Sequence, residues 1–130
     1  MTTPMTRNER HLAEPAMKAF RQVADAWHLT DSEQSLILGQ PVESVLAALH
    51  AGEVDERWST SLQRVSYVLG IYRALHTLFP NQHQADGWIR RPNQASLFGG
   101  STALSLMSSG QLHDLAAVRQ YLDAQGVADS

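Results

Sequence analysis

The chain has 130 residues, 43% hydrophobic and 18% charged, which suits one compact unit or two very small ones sharing a core. It carries no cysteine, which excludes disulfides and thiolate metal sites, and no run approaching the roughly 18 apolar residues of a membrane span. Ten Lys and Arg against 13 Asp and Glu give a formal charge of −3, so any nucleic-acid surface has to come from a local basic patch.

Residues 1–10 are polar and lack the apolar core of a secretion signal, which predicts a cytoplasmic protein. A first helix is expected over 14–28, where Met17, Phe20, Val23, Ala24 and Trp27 recur with the spacing of one buried stripe. Thr30 and Glu33 have capping-box spacing and open a short helix over 31–38. Gly39 permits a turn, and Pro41 suits the first turn of a third helix, which carries Val42, Val45, Leu46 and Leu49 and stops near Gly52. Residues 58–61 open the longest element, with Thr60 and Gln63 as a second capping-box pair. From Leu62 to Phe79 its apolar stripe is too wide for a helix with a wet side, which predicts a central helix packed on two sides.

Pro80 ends that helix, and Asn81 caps a short one running through Trp88 and Ile89 to a stop at Pro92. Residues 93–100 form an ordered loop with Leu97 and Phe98 as anchors. Ser101 caps a helix over 102–108, closed by Gly110, and a last helix covers 112–124 on Leu115, Val118 and Leu122. Residues 126–130 make a loose acidic tail. No strand alternates and no repeat is visible, so the fold is all-α.

The chemistry-bearing residues each admit two explanations. Trp88 fills the core or faces a partner. Arg90 and Arg91 complement a helix end before a proline stop or, with Asn93, offer a planar fork to partner carboxylates. Phe98, Gly99 and Gly100 shape a turn or touch a partner; a phosphate cradle normally follows a strand and carries a lysine, and neither is present. His50, His76, His83 and His113 lack metal-ligand spacing, and no serine or carboxylate pair is set for catalysis. No enzyme activity, cofactor or metal is expected.

Four ordered blocks, RVSYVLGIYRALHTLFP, ADGWIRRPN, SLFGGSTALSLMSSG and LHDLAAVRQYLDA, resemble the toxin-binding domain of the Xre/MbcA/ParS antitoxin family. The stretch 19–52 is similar to the Xre-like helix-turn-helix that precedes it in that family. The resemblance implies a helix-turn-helix region at 12–60, joined by the long central helix to a small helical toxin-binding domain at 61–125. It implies an antitoxin that dimerises and neutralises a RES-type, NAD-depleting toxin, in a family that often represses its own operon; the alternatives are a helix-turn-helix transcriptional regulator without a toxin partner and an orphan interaction module. Trp88, Arg90, Arg91, Asn93, Phe98, Gly99, Gly100, Arg119 and Tyr121 are the toxin-binding candidates. The tail is either a frayed end or an anionic segment reaching the toxin's pocket.

DNA readout is at odds with the local chemistry. The third helix presents Gln40, Val42, Glu43 and Ser44 where family members often place Arg, Ser, Thr and an aromatic residue. No Lys or Arg lies between Asp31 and Glu56, while acids are frequent there. Gln40 and Ser44 are the base-reading candidates, and Arg7, Arg10, Lys18 and Arg21 are the candidates for holding phosphates; alternatively the helix-turn-helix serves only dimerisation or packing.

Overall fold

The structure, a computed structural model, describes residues 2–128, with side chains to Gly126. Helices α1 (Arg7–Ala26), α2 (Asp31–Leu38), α3 (Val42–Ala51), α4 (Trp58–Leu78), α5 (Gln82–Gly87), α6 (Ala103–Met107) and α7 (Leu112–Ala128) build it, with a 3₁₀ turn at Trp88–Arg90 after α5. The all-α expectation holds. One small exception is an antiparallel pair, β1 (Thr3–Pro4) with β2 (Glu53–Val54), which ties the start of the chain to the α3–α4 connection.

Helix α1 starts earlier than its apolar stripe predicts. Thr6 and Glu9 form a reciprocal capping box, with Glu9 N–H to Thr6 Oγ1 at 3.0 Å and Thr6 N–H to Glu9 Oε1 at 3.1 Å. The first turns carry no buried residue before Ala13, so capping holds them and burial does not. Pro15 sits inside the helix and withdraws one N–H from the His11 carbonyl; both residues are exposed, so the cost falls on the solvent side of the helix.

The Thr30–Glu33 box opens α2 as expected, and Gly39 closes it at φ 79°. The Thr60–Gln63 box does not form. Asp55 sets the start of α4 earlier: its carbonyl accepts the Trp58 N–H at 3.1 Å and its carboxylate the Arg57 N–H at 2.9 Å, leaving Thr60 inside the helix. At α6 the cap is Thr102 and not Ser101, accepting the Ser105 N–H at 3.1 Å. Helix α7 runs past Ala124 through Gly126 to Ala128, so residues 126–128, expected in a loose tail, are helical. Asp129 and Ser130 lie outside the described residues.

Helix α4 is the centre, packed by α1 and α7 and, near its start, by α2. Its buried residues Val65, Val68, Ile71 and Leu75 meet Phe20 of α1, Trp27 just past its end, and Leu115, Val118 and Leu122 of α7 in one apolar core. Two long-range arginine contacts tie α2 and the end of α1 to the rest. Arg64, 8% exposed, donates from Nη2 to the Gly110 carbonyl at 2.8 Å and from Nη1 to the Ile37 carbonyl at 3.4 Å. Gly39 has no side chain, and the Arg64 guanidinium lies in the space a Cβ would need. Arg90 makes the second contact.

Candidate functional site

The C-terminal half turns a corner at α5, the 3₁₀ turn and the loop to α6. Asn81 caps α5, accepting the Gln84 N–H at 3.1 Å. The 3₁₀ turn then aims Trp88 at Phe98 and Tyr121. Trp88 stacks on Tyr121 at 6.3 Å and 22°, and Phe98 meets both edge-on, at 5.7 Å from Trp88 and 5.2 Å from Tyr121. Three residues far apart in sequence therefore form one aromatic corner joining turn, loop and α7. Trp88 and Tyr121 are half-buried.

Asn93 shapes the loop beneath. Its Oδ1 accepts the Ala95 N–H at 2.9 Å, its carbonyl the Gly100 N–H at 2.8 Å, and its own N–H reaches the Ser101 carbonyl at 3.0 Å. Gly99 and Gly100 take φ 56° and 91°, a reversal that side-chain-bearing residues resist. The two expected anchors part company. Phe98 is 6% exposed and points inward, whereas Leu97 is 38% exposed and points out. The corner thus presents an apolar tip on a hydrogen-bonded loop.

The arginines have internal duties. Arg90 donates to the Trp27 carbonyl from Nε and Nη2 at 3.2 and 3.0 Å, to the His28 carbonyl at 2.8 Å and to Glu33 at 3.4 Å. A guanidinium at the carbonyl end of α1 satisfies its last acceptors and complements the helix dipole. Arg91 donates to the Gln84 carbonyl at 2.9 Å and lies 6.0 Å from the Phe79 ring. Arg119 lies across Gly70 of α4, where a Cβ would collide with it, and donates to Asp123 at 3.1 Å. Arg119 and Tyr121 are about 200° apart around α7, so they serve opposite flanks of that helix.

The DNA candidates do not converge. Gln40 is buried and donates to Ser61 Oγ at 2.7 Å, which itself bonds the Leu38 carbonyl, so its side chain is turned into the core. Ser44 is half-buried. The exposed side of α3 carries Glu43, Leu46, Ala47 and His50. Arg7, Lys18 and Arg21 share the solvent face of α1 with Glu14 and Asp25, a mixed-sign surface, and Arg10 lies across Gly52.

Residues 74–126, which hold the whole aromatic corner, match the family described as "Antitoxin Xre/MbcA/ParS C-terminal toxin-binding domain". The chain belongs to the Xre/MbcA/ParS antitoxin family. It is also similar to "Uncharacterized protein y4oB" of Sinorhizobium fredii (strain NBRC 101917 / NGR234), 38% identical over 125 residues that cover 95% of this chain and 92% of that protein. An antitoxin role follows from membership, with a toxin as the partner.

In this Xre/MbcA/ParS member, the family resemblance named Trp88, Phe98 and Tyr121, while the sequence reading missed Arg64 and the His76–Asp86 pair. An arginine set among Leu62, Val65 and Val68 in an apolar stripe was the available signal for the first. His76 Nε2 and Asp86 Oδ1 are 2.8 Å apart, and the His76 ring packs on Tyr72 at 4.2 Å. Burial raises the Tyr72 pKa above its ordinary value, and the Asp86 charge adds to this. An acid with a raised folded pKa stabilises the fold fully below its unfolded value of about 10 and loses that contribution as pH rises through the folded value. Tyr72→Phe should therefore flatten the alkaline limb of a stability–pH profile measured by urea unfolding. An alkaline limb identical to wild type would show that the Tyr72 hydroxyl contributes nothing to it. Among the described residues no three metal-ligating side chains converge, and no helix is long and apolar enough to cross a membrane.

Proposed function

We propose that this antitoxin neutralises a RES-type, NAD-depleting toxin by covering it with the corner built from Trp88, Phe98, Tyr121 and the 93–100 loop. The observation that carries this is the placement of that corner, with its outward Leu97, inside the residues matched to the toxin-binding domain. Half-buried aromatics around an exposed aliphatic tip have the composition of an interface hot spot. On this account Arg90, Arg91 and Asn93 set the shape of the surface, and Arg119 belongs to a separate contact. The protein acts without catalysis, in the cytoplasm and as a homodimer, with the division of labour falling between 12–60 and 61–125.

Co-expression with the RES-type toxin that this family's organisation places beside the antitoxin gene tests the proposal. Restored growth, a preserved NAD pool and a co-purifying complex are expected. Growth arrest that this protein cannot relieve would overturn it.

The same account gives α3 no base-reading role. Gln40 is buried, and Glu43 and Leu46 offer phosphates repulsion and bases no donor. Any operator contact rests on Arg7, Lys18 and Arg21, a non-specific attraction that weakens steeply with salt. A gel shift with the gene's own upstream region should show no sequence-specific retardation at micromolar protein. A sharp shift that survives unlabelled competitor would restore the repressor function.

A further inference from the structure

Helix α4 is covered by α1 on one side and α7 on the other, and its outward strip between them carries Ser66, Gly70, Arg73 and Thr77. Two cavities open along this strip. One, of about 550 Å³, is walled by Leu12, Ala16, Leu62 and Leu69; the other, of about 470 Å³, by Ala74, Leu78, Leu122 and Gly126. Gly70, Arg73 and Arg119 border both, with Arg119 lying across Gly70 as the partition. From Leu62 to Leu78 the strip is about 24 Å long at the helical rise per residue, the span of a four-turn helix. Leu12, at 58% exposed, stands open at its α1 edge.

The charges say what fits. Arg73 has no carboxylate partner among the described residues. Asp123, the one acidic residue lining either cavity among the described residues, is already bonded to Arg119. A groove of apolar walls with a surplus of guanidinium suits an amphipathic helix that brings its own carboxylates. A second copy laid groove to groove would bring four arginines together with only the two engaged Asp123 side chains between them, which opposes that pairing. The α7-side cavity, apart from Gly70 and Arg73, lies within the residues matched to the toxin-binding domain.

We propose that this groove receives an amphipathic helix of the toxin. Its apolar side chains fill the two cavities, and its carboxylates pair with Arg73 and with Arg119 lifted off Gly70. The proposal rests on the toxin-binding function above and adds a contact on the opposite flank of α7 from the aromatic corner.

The test titrates the purified product of the neighbouring toxin gene with the full-length protein and three variants. Gly70→Leu places a side chain in the groove, on a helix that gains propensity, and its Cβ meets the guanidinium end of Arg119, a long flexible side chain. Arg73→Glu reverses the free charge, and Arg73→Lys keeps it. The expected result is affinity reduced about tenfold or more for Gly70→Leu and Arg73→Glu, and near wild type for Arg73→Lys. Thermal melts of all three should match wild type. Unchanged affinity of the first two variants, with wild type still binding, overturns the groove alone. A wild-type protein that binds no toxin overturns the toxin-binding function and the groove with it. Self-association of the wild type that Arg73→Glu abolishes also overturns the proposal, by showing a second copy to be the occupant.

Discussion

Replacing Arg64 with alanine lowers the stability of the fold by about 3 kcal/mol, because the loss of its donors and its volume outweighs the relief of burying a charge. The opposing effects are of similar size. Arg64 is 8% exposed, its Nε finds no partner, and burial pulls its pKa down, so the side chain is desolvated at a cost. Against this, its Nη atoms satisfy the carbonyl of Ile37, one residue short of the end of α2, and that of Gly110, ahead of α7. Alanine leaves both acceptors without these donors and opens a void above Gly39. Arg64→Met separates the contributions, since it keeps volume and removes both the donors and the desolvation cost; about half the alanine effect is expected. The measurement is the urea midpoint of each variant. An alanine variant within 1 kcal/mol of wild type would show that the charge costs as much as its bonds return.

The second large effect falls on binding. Trp88→Ala removes the ring that both Phe98 and Tyr121 pack against, and toxin affinity should fall about a hundredfold, near 3 kcal/mol, the scale of an interface hot spot. Because Trp88 is half-buried, the variant also loses about 2 kcal/mol of stability, so binding loss alone does not separate contact from support. Leu97→Asp makes that separation. Leu97 is exposed on a loop held by Asn93, so the folded protein tolerates aspartate, while a desolvated carboxylate at the contact should cost at least tenfold in affinity. A Leu97→Asp protein that binds toxin like wild type would place the contact elsewhere.

Much of this architecture was readable in the sequence where the signal was local. The Thr30–Glu33 box, Gly39, Pro80 and the Asn81 cap each act within a few residues, and α2, the turn and α5 fall where those signals put them. Errors arose where two local signals competed. Thr60 has capping spacing, but Asp55 supplies an earlier turn for the α4 amides; Ser101 and Thr102 are both good caps, and the Pro92–Thr102 bridge selects the second. The pairing of Thr3–Pro4 with Glu53–Val54 had no local signal, since it joins segments some fifty residues apart.

The candidate site was legible as a list of residues and not as an arrangement. Trp88, Phe98 and Tyr121 were named with the family resemblance, but only the fold brings the three rings together. Spacing in the chain also cannot tell an arginine that faces a partner from one bonded to a distant carbonyl. Arg90 meets α1 across more than sixty residues. Nor could spacing show that Gln40 turns inward, its partner Ser61 lying on α4.

Amide hydrogen exchange of the full-length protein, alone and with the toxin, tests the central claim most directly. New protection is predicted at the 93–100 loop, at Trp88 and along α7, with α2 and α3 unchanged. Protection confined to α2 and α3, with the aromatic corner exchanging as in the free protein, would contradict the account.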